Sequence, residues 1–156
     1  MSARLFDAKQ VRRAFSRSAA GYDAAARLQH AVEARLLESL DYLDDPALKR
    51  EAPRRVLDLG CGTGRASLAM QARWPKAQVL SLDLALPMLQ QARVASGRTA
   101  GAWLSNPFAR KPVPVCADAR ALPLAEASVD VLFSNLCLQW VEDLDALFAG
   151  FRRVLK

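Results

Sequence analysis

Three glycines alternate with small residues in Gly60-Cys61-Gly62-Thr63-Gly64, directly after the apolar run Val56-Leu57-Asp58-Leu59. Without Cβ atoms at 60, 62 and 64, the chain can turn sharply and let a ligand lie against its backbone. The segment from about Gly64 to Arg73 has a helical pattern, and the first amides of a helix favour an anionic group. A tight strand-to-helix turn would use the same glycines with no ligand. A second apolar run, Gln78 to Leu82, ends at Asp83, about 20 residues past the loop. A carboxylate there can accept hydrogen bonds from both hydroxyls of a ribose. Alone, such an acid is a helix cap. Combined with the loop, it points to an adenosine-containing ligand.

The spacing narrows the choice. A dinucleotide fingerprint reads GxGxxG, whereas this loop reads GxGxG, with Arg65 where the final glycine would fall. Asp58, two residues before the loop, suits an amino group more than a pyrophosphate. S-adenosylmethionine carries an α-amino group and a carboxylate but no phosphate. A nicotinamide dehydrogenase is the distant alternative.

The elements that must position these residues follow from periodicity. Asp7 and Gln10 form a capping-box pattern at the start of a first helix, with Phe6 and Val11 spaced as a hydrophobic staple. That helix should end near Ser18 to Gly21. A second runs from about Asp23, with Leu28, Val32, Leu36 and Leu40 as one apolar stripe. Asp44 to Arg55 reads as a connector. Then come strands at Arg55–Leu59, Gln78–Leu82, Pro112–Cys116 (an edge strand, given its prolines) and Ser128–Ser134. Helices lie between, at Gly64–Arg73 and Leu86–Ala95, the latter stopped by Gly97. Residues 98–112 are loop-like. A last helix starts near Glu142, with Leu144, Leu147, Phe148, Phe151 and Leu155 as its apolar face. Alternating strands and helices predict an α/β fold: a parallel sheet with right-handed crossovers and the ligand beyond the carboxyl ends of the strands. Gly60–Gly64, Asp83, Asp118 and Asn135 all fall at such ends.

Composition excludes several classes. The chain has 156 residues, the size of one domain, and 52% are hydrophobic. No apolar run approaches the ~20 residues of a membrane span. The N-terminus lacks the apolar core of a secretory signal, so a cytoplasmic address is expected. Three scattered cysteines and a single histidine, His30, argue against a metal site. The net charge of +6 is unaccompanied by the basic–aromatic alternation of nucleic-acid binders, so neither nucleic acid nor membrane is an expected partner.

The segment VLDLGCGTG resembles motif I of class I S-adenosylmethionine-dependent methyltransferases. LSLDLALPMLQQAR is similar to their second motif, and CADARALPLAEASVDVLFSNLCLQW to their third and fourth. The opening VRRAFSRSAAGYDAAARLQ and the stretch ALPLAEASVDVLFSNLCLQWVEDL resemble, more narrowly, the malonyl-acyl-carrier-protein O-methyltransferase family of biotin synthesis. Quinone and other small-molecule methyltransferases share similar openings. The resemblance implies a Rossmann-like three-layer sandwich with S-adenosylmethionine as cofactor. It also implies that Asp58, Gly60 and Gly62, with the loop residues Cys61 and Gly64, hold the methionine portion. Asp83 would bind the ribose, Leu84 pack on the adenine, and Asp118 and Ala119 meet the adenine edge. Asn135 and Leu136 would line the site. Tyr22, as the catalytic candidate, would close it together with Gln29, and Gln139 and Trp140 would face the substrate. Cys61 reads as a small loop residue rather than a nucleophile.

The resemblance also implies a seven-stranded sheet, of which four strands can be placed, in the order 3-2-1-4. The expectation is a single truncated domain: a helical cap over residues 1–50, and the cofactor-binding half of the sheet over 51–156. The fourth strand would be open on one side, inviting self-association. Cofactor contacts should be largely present and substrate contacts incomplete, so that the chain turns over poorly or serves only as a cofactor-binding fragment. The expected substrate partner is malonyl-acyl carrier protein, an acidic protein, which a basic patch of Lys9, Arg12, Arg13 and Arg17 on the first helix would suit. A solvated helix face would show the same charges.

Overall fold

The structure, a computed structural model, describes residues 7–98 and 110–156. Its centre is a four-stranded parallel sheet built from β1 (Arg55–Leu59), β2 (Gln78–Asp83), β3 (Val113–Cys116) and β4 (Val131–Ser134). The spatial order is β3-β2-β1-β4, as expected. β1 is central, paired with β2 on one edge and β4 on the other, and with both faces covered its Val56, Leu57, Asp58 and Leu59 are all buried. An unbroken apolar run, rather than an alternating one, is what such a strand requires.

The two faces bury separate clusters. Val56, Val79 and Phe133 pack against Met70 and Trp74 at α4 (Arg65–Arg73), with Leu40, Leu36 and Leu37 closing over them. On the opposite face Leu57, Leu59 and Leu82 meet Leu122, Val129 and the stripe Leu147, Phe151 and Val154 of α6 (Leu144–Val154). α5 (Leu86–Arg98) follows β2, and Met88, with Ala85 just before the helix, packs against Ala19, Phe15 and Tyr22. The N-terminal helices are α1 (Ala8–Ser18), α2 (Tyr22–Ala25) and α3 (Arg27–Glu38), with a 3₁₀ turn at Ala19–Gly21 between the first two.

Local chemistry explains most boundaries, and corrects some. Asp7 caps α1 by accepting from the Lys9 amide at 2.9 Å; Phe6, of the expected staple, lies outside the described residues. α3 does not bury the whole expected stripe: Leu28, in its first turn, is 68% exposed, while Leu36 and Leu40 pack inward. Gly97 does not stop α5, which runs on to Arg98. A glycine with helical dihedrals costs a helix about 1 kcal/mol and need not end it. α6 is turned from the expected phase. Leu144 and Phe148 are exposed, and Phe148 stacks edge-to-face on Phe151 at 5.6 Å. β4 starts later than Ser128 because Asp130 is used elsewhere: its carboxylate accepts from the Arg54 and Arg55 amides at 2.9 and 2.8 Å. The outer side of β4 pairs with no strand among the described residues, and Val129 beside it makes a single parallel bridge to Leu155. No described helix is long and apolar enough to cross a membrane.

Candidate active site

The glycine loop is pinned to the neighbouring strand. The Gly60 and Cys61 amides both donate to the Leu82 carbonyl, at 2.8 and 3.0 Å. Gly60 has φ +71°, and a Cβ there would lie 2.5 Å from Cys137 Sγ and 2.6 Å from Cys137 Cβ. Only glycine lets the β1 and β4 ends approach this closely. Asp83 organises the other side. Its Oδ2 accepts from the Gly62 amide at 2.9 Å and its Oδ1 from the Ala85 amide at 2.8 Å. Burial raises its carboxyl above the usual range, while those amides, with that of Leu84, pull it back.

These strand ends floor a cavity of about 610 Å³, within the ~300–1,000 Å³ typical of ligand sites. Asp83, Leu84 and Met88 form one wall, and Asp118 and Ala119 another. Asn135 and Leu136 stand at the end of β4. Leu136 sits at φ +48°, a left-handed conformation that bulky residues rarely adopt and that costs about 1–3 kcal/mol. The roof is Val11 and Phe15 of α1, Tyr22 of α2 and Trp140. Phe15 meets Trp140 edge-to-face with ring centroids 5.6 Å apart. Tyr22 lies over the loop, its Cε1 3.8 Å from where a Gly62 Cβ would be. Burial, then the charge of Asp83, raises the Tyr22 hydroxyl pKa, so it stays protonated at neutral pH.

A smaller recess adjoins the cavity, sharing Tyr22, Gly60, Gly62 and Asn135 with it and adding Asp58, Cys61, Gln29, His30 and Glu33. Asp58 is 2% exposed. Ser81 donates to Ser67 at 2.7 Å, and Ser67 donates to Asp58 Oδ2 at 2.6 Å. Burial nevertheless pushes the Asp58 carboxyl up to about 7. The N-terminal helices are tied to this end by polar contacts: Thr63 Oγ1 donates to Asp23 at 2.7 Å, and Asn135 Nδ2 donates to the Gln29 carbonyl at 2.9 Å. Arg65 pairs with Glu33 at 3.3 Å. One buried atom here, Asn135 Oδ1, lacks a hydrogen-bond partner, and His30 Nε2, also without a hydrogen bond, faces Asp23 Oδ1 at 3.6 Å. Buried polar atoms are normally paired, so Asn135 Oδ1 fits a polar ligand group.

The structure thus brings Tyr22, Gly60, Gly62, Asp83, Leu84, Asp118, Ala119, Asn135 and Leu136 around one cavity, with Asp58 and Cys61 in its recess. Gly64 is the exception. It lines neither, and at φ +83° a Cβ on it would meet Ala92 Cβ at 2.7 Å, so its role is close packing of the α4 start on α5. Gln139 also stands outside the lining, while Trp140 is in it. Sequence reasoning missed the roof from α1 and the pairing of Asp118 with Arg120, whose amide and Nε both donate to Asp118 Oδ1 at 2.9 Å. That guanidinium holds the Asp118 carboxyl below its usual range. No grouping of His, Cys, Asp and Glu suited to a metal occurs among the described residues.

The donor set fits S-adenosylmethionine: carboxylates without a phosphate cradle, apolar walls for a base, and an unpartnered carbonyl at Asn135. Residues 57–156 match the family model described as a methyltransferase domain. The chain belongs to the methyltransferase domain family. It is 59% identical over 152 residues to a malonyl-[acyl-carrier protein] O-methyltransferase of Xylella fastidiosa, covering 97% of this chain and 46% of that relative. The chain therefore spans about half the length of the curated relatives it matches. Its fold is that of solved methyltransferases. One, from Methanococcus maripaludis, assigned as S-adenosyl-L-methionine-dependent, superposes with a TM-score of 0.69 at 19% identity over 100% of this chain and 63% of that one. Another, the plantazolicin methyltransferase BpumL in complex with SAH, gives 0.65 at 19% identity over 96% and 56%.

Proposed function

We propose that this chain is the cofactor-binding part of an S-adenosylmethionine-dependent methyltransferase that esterifies the free carboxylate of malonyl-acyl carrier protein. Residues 1–50 are the helical cap, and 51–156 the cofactor half of the sheet. The observation that carries the reading is the 59% identity, across 97% of the chain, to a relative named for that reaction.

When bound, S-adenosylmethionine supplies a methyl group already activated by its sulfonium, which a carboxylate oxygen takes without proton transfer. The protein's task is to bind, align and exclude water. Asp83 has lone pairs left beside its bonds to Gly62 and Ala85, and these accept the ribose hydroxyls. Leu84 and Ala119 pack on the base, and Asp118 meets its edge. Asp58, Gly60 and Gly62 hold the methionine portion, with Asn135 Oδ1 as a further acceptor. Tyr22 closes the roof. No general base is needed, because a malonyl carboxylate is ionised at neutral pH. Burial holds the Cys61 and Cys137 thiols protonated, Cys137 with a pKa of about 11, so neither serves as a nucleophile.

The test is methyl transfer by the full-length protein carrying these residues, using methyl-labelled S-adenosylmethionine. Base-labile label on malonyl-acyl carrier protein, and none on the acetyl form, is expected. Label on a quinone precursor with none on the malonyl carrier would overturn the substrate assignment.

A further inference from the structure

Resting on the proposed substrate, we infer that the exposed basic face of α1 is the docking surface for the acidic carrier protein. The helix has two unlike faces. Ala8, Val11 and Phe15 point inward and line the cavity roof, while Lys9, Arg12, Arg13 and Arg17 are exposed. At helical spacing these four cations fall on one side. None of their side chains forms a hydrogen bond or ion pair with a described residue. Other basic residues, among them Arg65 with Glu33, Arg73 with Asp41 and Asp44, Arg120 with Asp118 and Lys156 with Asp130, are engaged by acids. Four unneutralised charges grouped on one side of one helix add to a local field.

The place of this face matters as much as its charge. Lys9 is both an exposed cation of α1 and a lining residue of the cavity mouth. A carrier held here would present its tethered acyl group to the opening, instead of having to reach it from a distant site. Acids also stand at the mouth, but they are engaged: Asp7 caps α1, Asp143 caps α6, Asp118 holds Arg120, and the charge of Glu142 also acts on Arg120. The apolar face of α1 is spent on the roof and has nothing left to insert into a bilayer, which sets this helix apart from membrane-surface helices. An acidic protein surface is the complementary partner, steered by charge and weakened by salt.

The experiment reverses charges that touch neither cavity nor cofactor, in the variant Arg12→Glu/Arg13→Glu/Arg17→Glu. Binding of labelled acyl carrier protein is measured by anisotropy at low and high salt, and S-adenosylhomocysteine affinity serves as the folding control. The carrier dissociation constant is expected to rise on the order of ten-fold or more, with the wild-type salt dependence lost and S-adenosylhomocysteine affinity kept. In the full-length enzyme, KM for malonyl-acyl carrier protein should rise by a similar factor, and KM for a small malonyl thioester should stay constant. Unchanged carrier affinity in the variant would overturn the docking surface, as would binding of duplex DNA by wild type in place of the carrier. Failure of wild type to methylate either malonyl substrate would instead overturn the proposed reaction, so the two failures are distinguishable.

Discussion

Replacing Asp58 by asparagine should make the protein's stability less dependent on pH. In the folded chain this carboxyl is buried near the end of β1, bonded to Ser67, and pushed to about 7 by desolvation and then by the charges of Glu33 and Asp83. In the unfolded chain it titrates near 3.8. The folded state therefore keeps the proton, and the unfolded state releases it, throughout the window between those values. Unfolding in that window releases a proton, so stability falls as pH rises and levels off above about 7. The interval of roughly three pH units corresponds to on the order of 4 kcal/mol. The Asp58→Asn side chain keeps the shape and an acceptor for Ser67 but has no proton to lose. Urea unfolding at pH 5, 6, 7 and 8, followed by the fluorescence of buried Trp74, should show wild type losing about 1.4 kcal/mol per pH unit relative to Asp58→Asn below pH 7. Comparing the two proteins cancels carboxylates of the opposite sign, such as Asp118 and Asp130, whose lowered pKa values make stability rise with pH in the acid range. Parallel pH profiles would refute the buried-carboxyl reasoning. Cofactor binding offers a second readout. An ammonium group settling beside Asp58 should displace its proton, so titration with S-adenosylhomocysteine near pH 6.5 in buffers of different ionisation enthalpy should register proton release in wild type and none in Asp58→Asn.

Asp83→Ala should weaken S-adenosylhomocysteine binding on the order of ten-fold or more, since it removes the ribose acceptor and frees the Gly62 amide; calorimetric affinity equal to wild type would sink the ribose assignment. Gly60→Ala forces a side chain onto a backbone at φ +71° and against Cys137 Cβ at 2.6 Å, which no rotamer change relieves. A loss of about 2–4 kcal/mol in chemical denaturation is expected, and a loss under about 1 kcal/mol would show that the loop can yield. Tyr22→Ala should lower S-adenosylhomocysteine affinity several-fold by opening the roof, whereas Tyr22→Phe should keep it, because the ring and its tilted contact with Phe15, at 6.3 Å between centroids, remain. Equal affinity in both variants would remove Tyr22 from the closure.

How much of this was legible beforehand depended on range. β1, β2, the glycine loop and Asp83 were readable because each is a local pattern: an apolar run, a turn without Cβ atoms, an acid at a strand end. The sheet order followed from the family resemblance and agrees with the structure. Features that rest on distant partners were not readable. Gly64 looked like its two neighbours until Ala92, on the next helix, showed what it packs against. Leu136 carries no sequence sign of its left-handed backbone, just past the end of β4. The roof contact of Phe15 with Trp140 joins the first helix to a turn near the end of the chain, and the Asn135–Gln29 bond joins residues 106 apart. Leu28 fell outside the buried stripe of α3, and the phase of α6 erred, because several apolar residues offer competing stripes and only packing on the sheet selects one.

The most direct test of the central claim, that this cavity holds S-adenosylmethionine, is calorimetric titration of the chain with S-adenosylhomocysteine, with NADH as the control ligand. Saturable one-site binding of S-adenosylhomocysteine and no heat from NADH is expected. Binding of NADH, or no binding of S-adenosylhomocysteine by the folded chain, would contradict it.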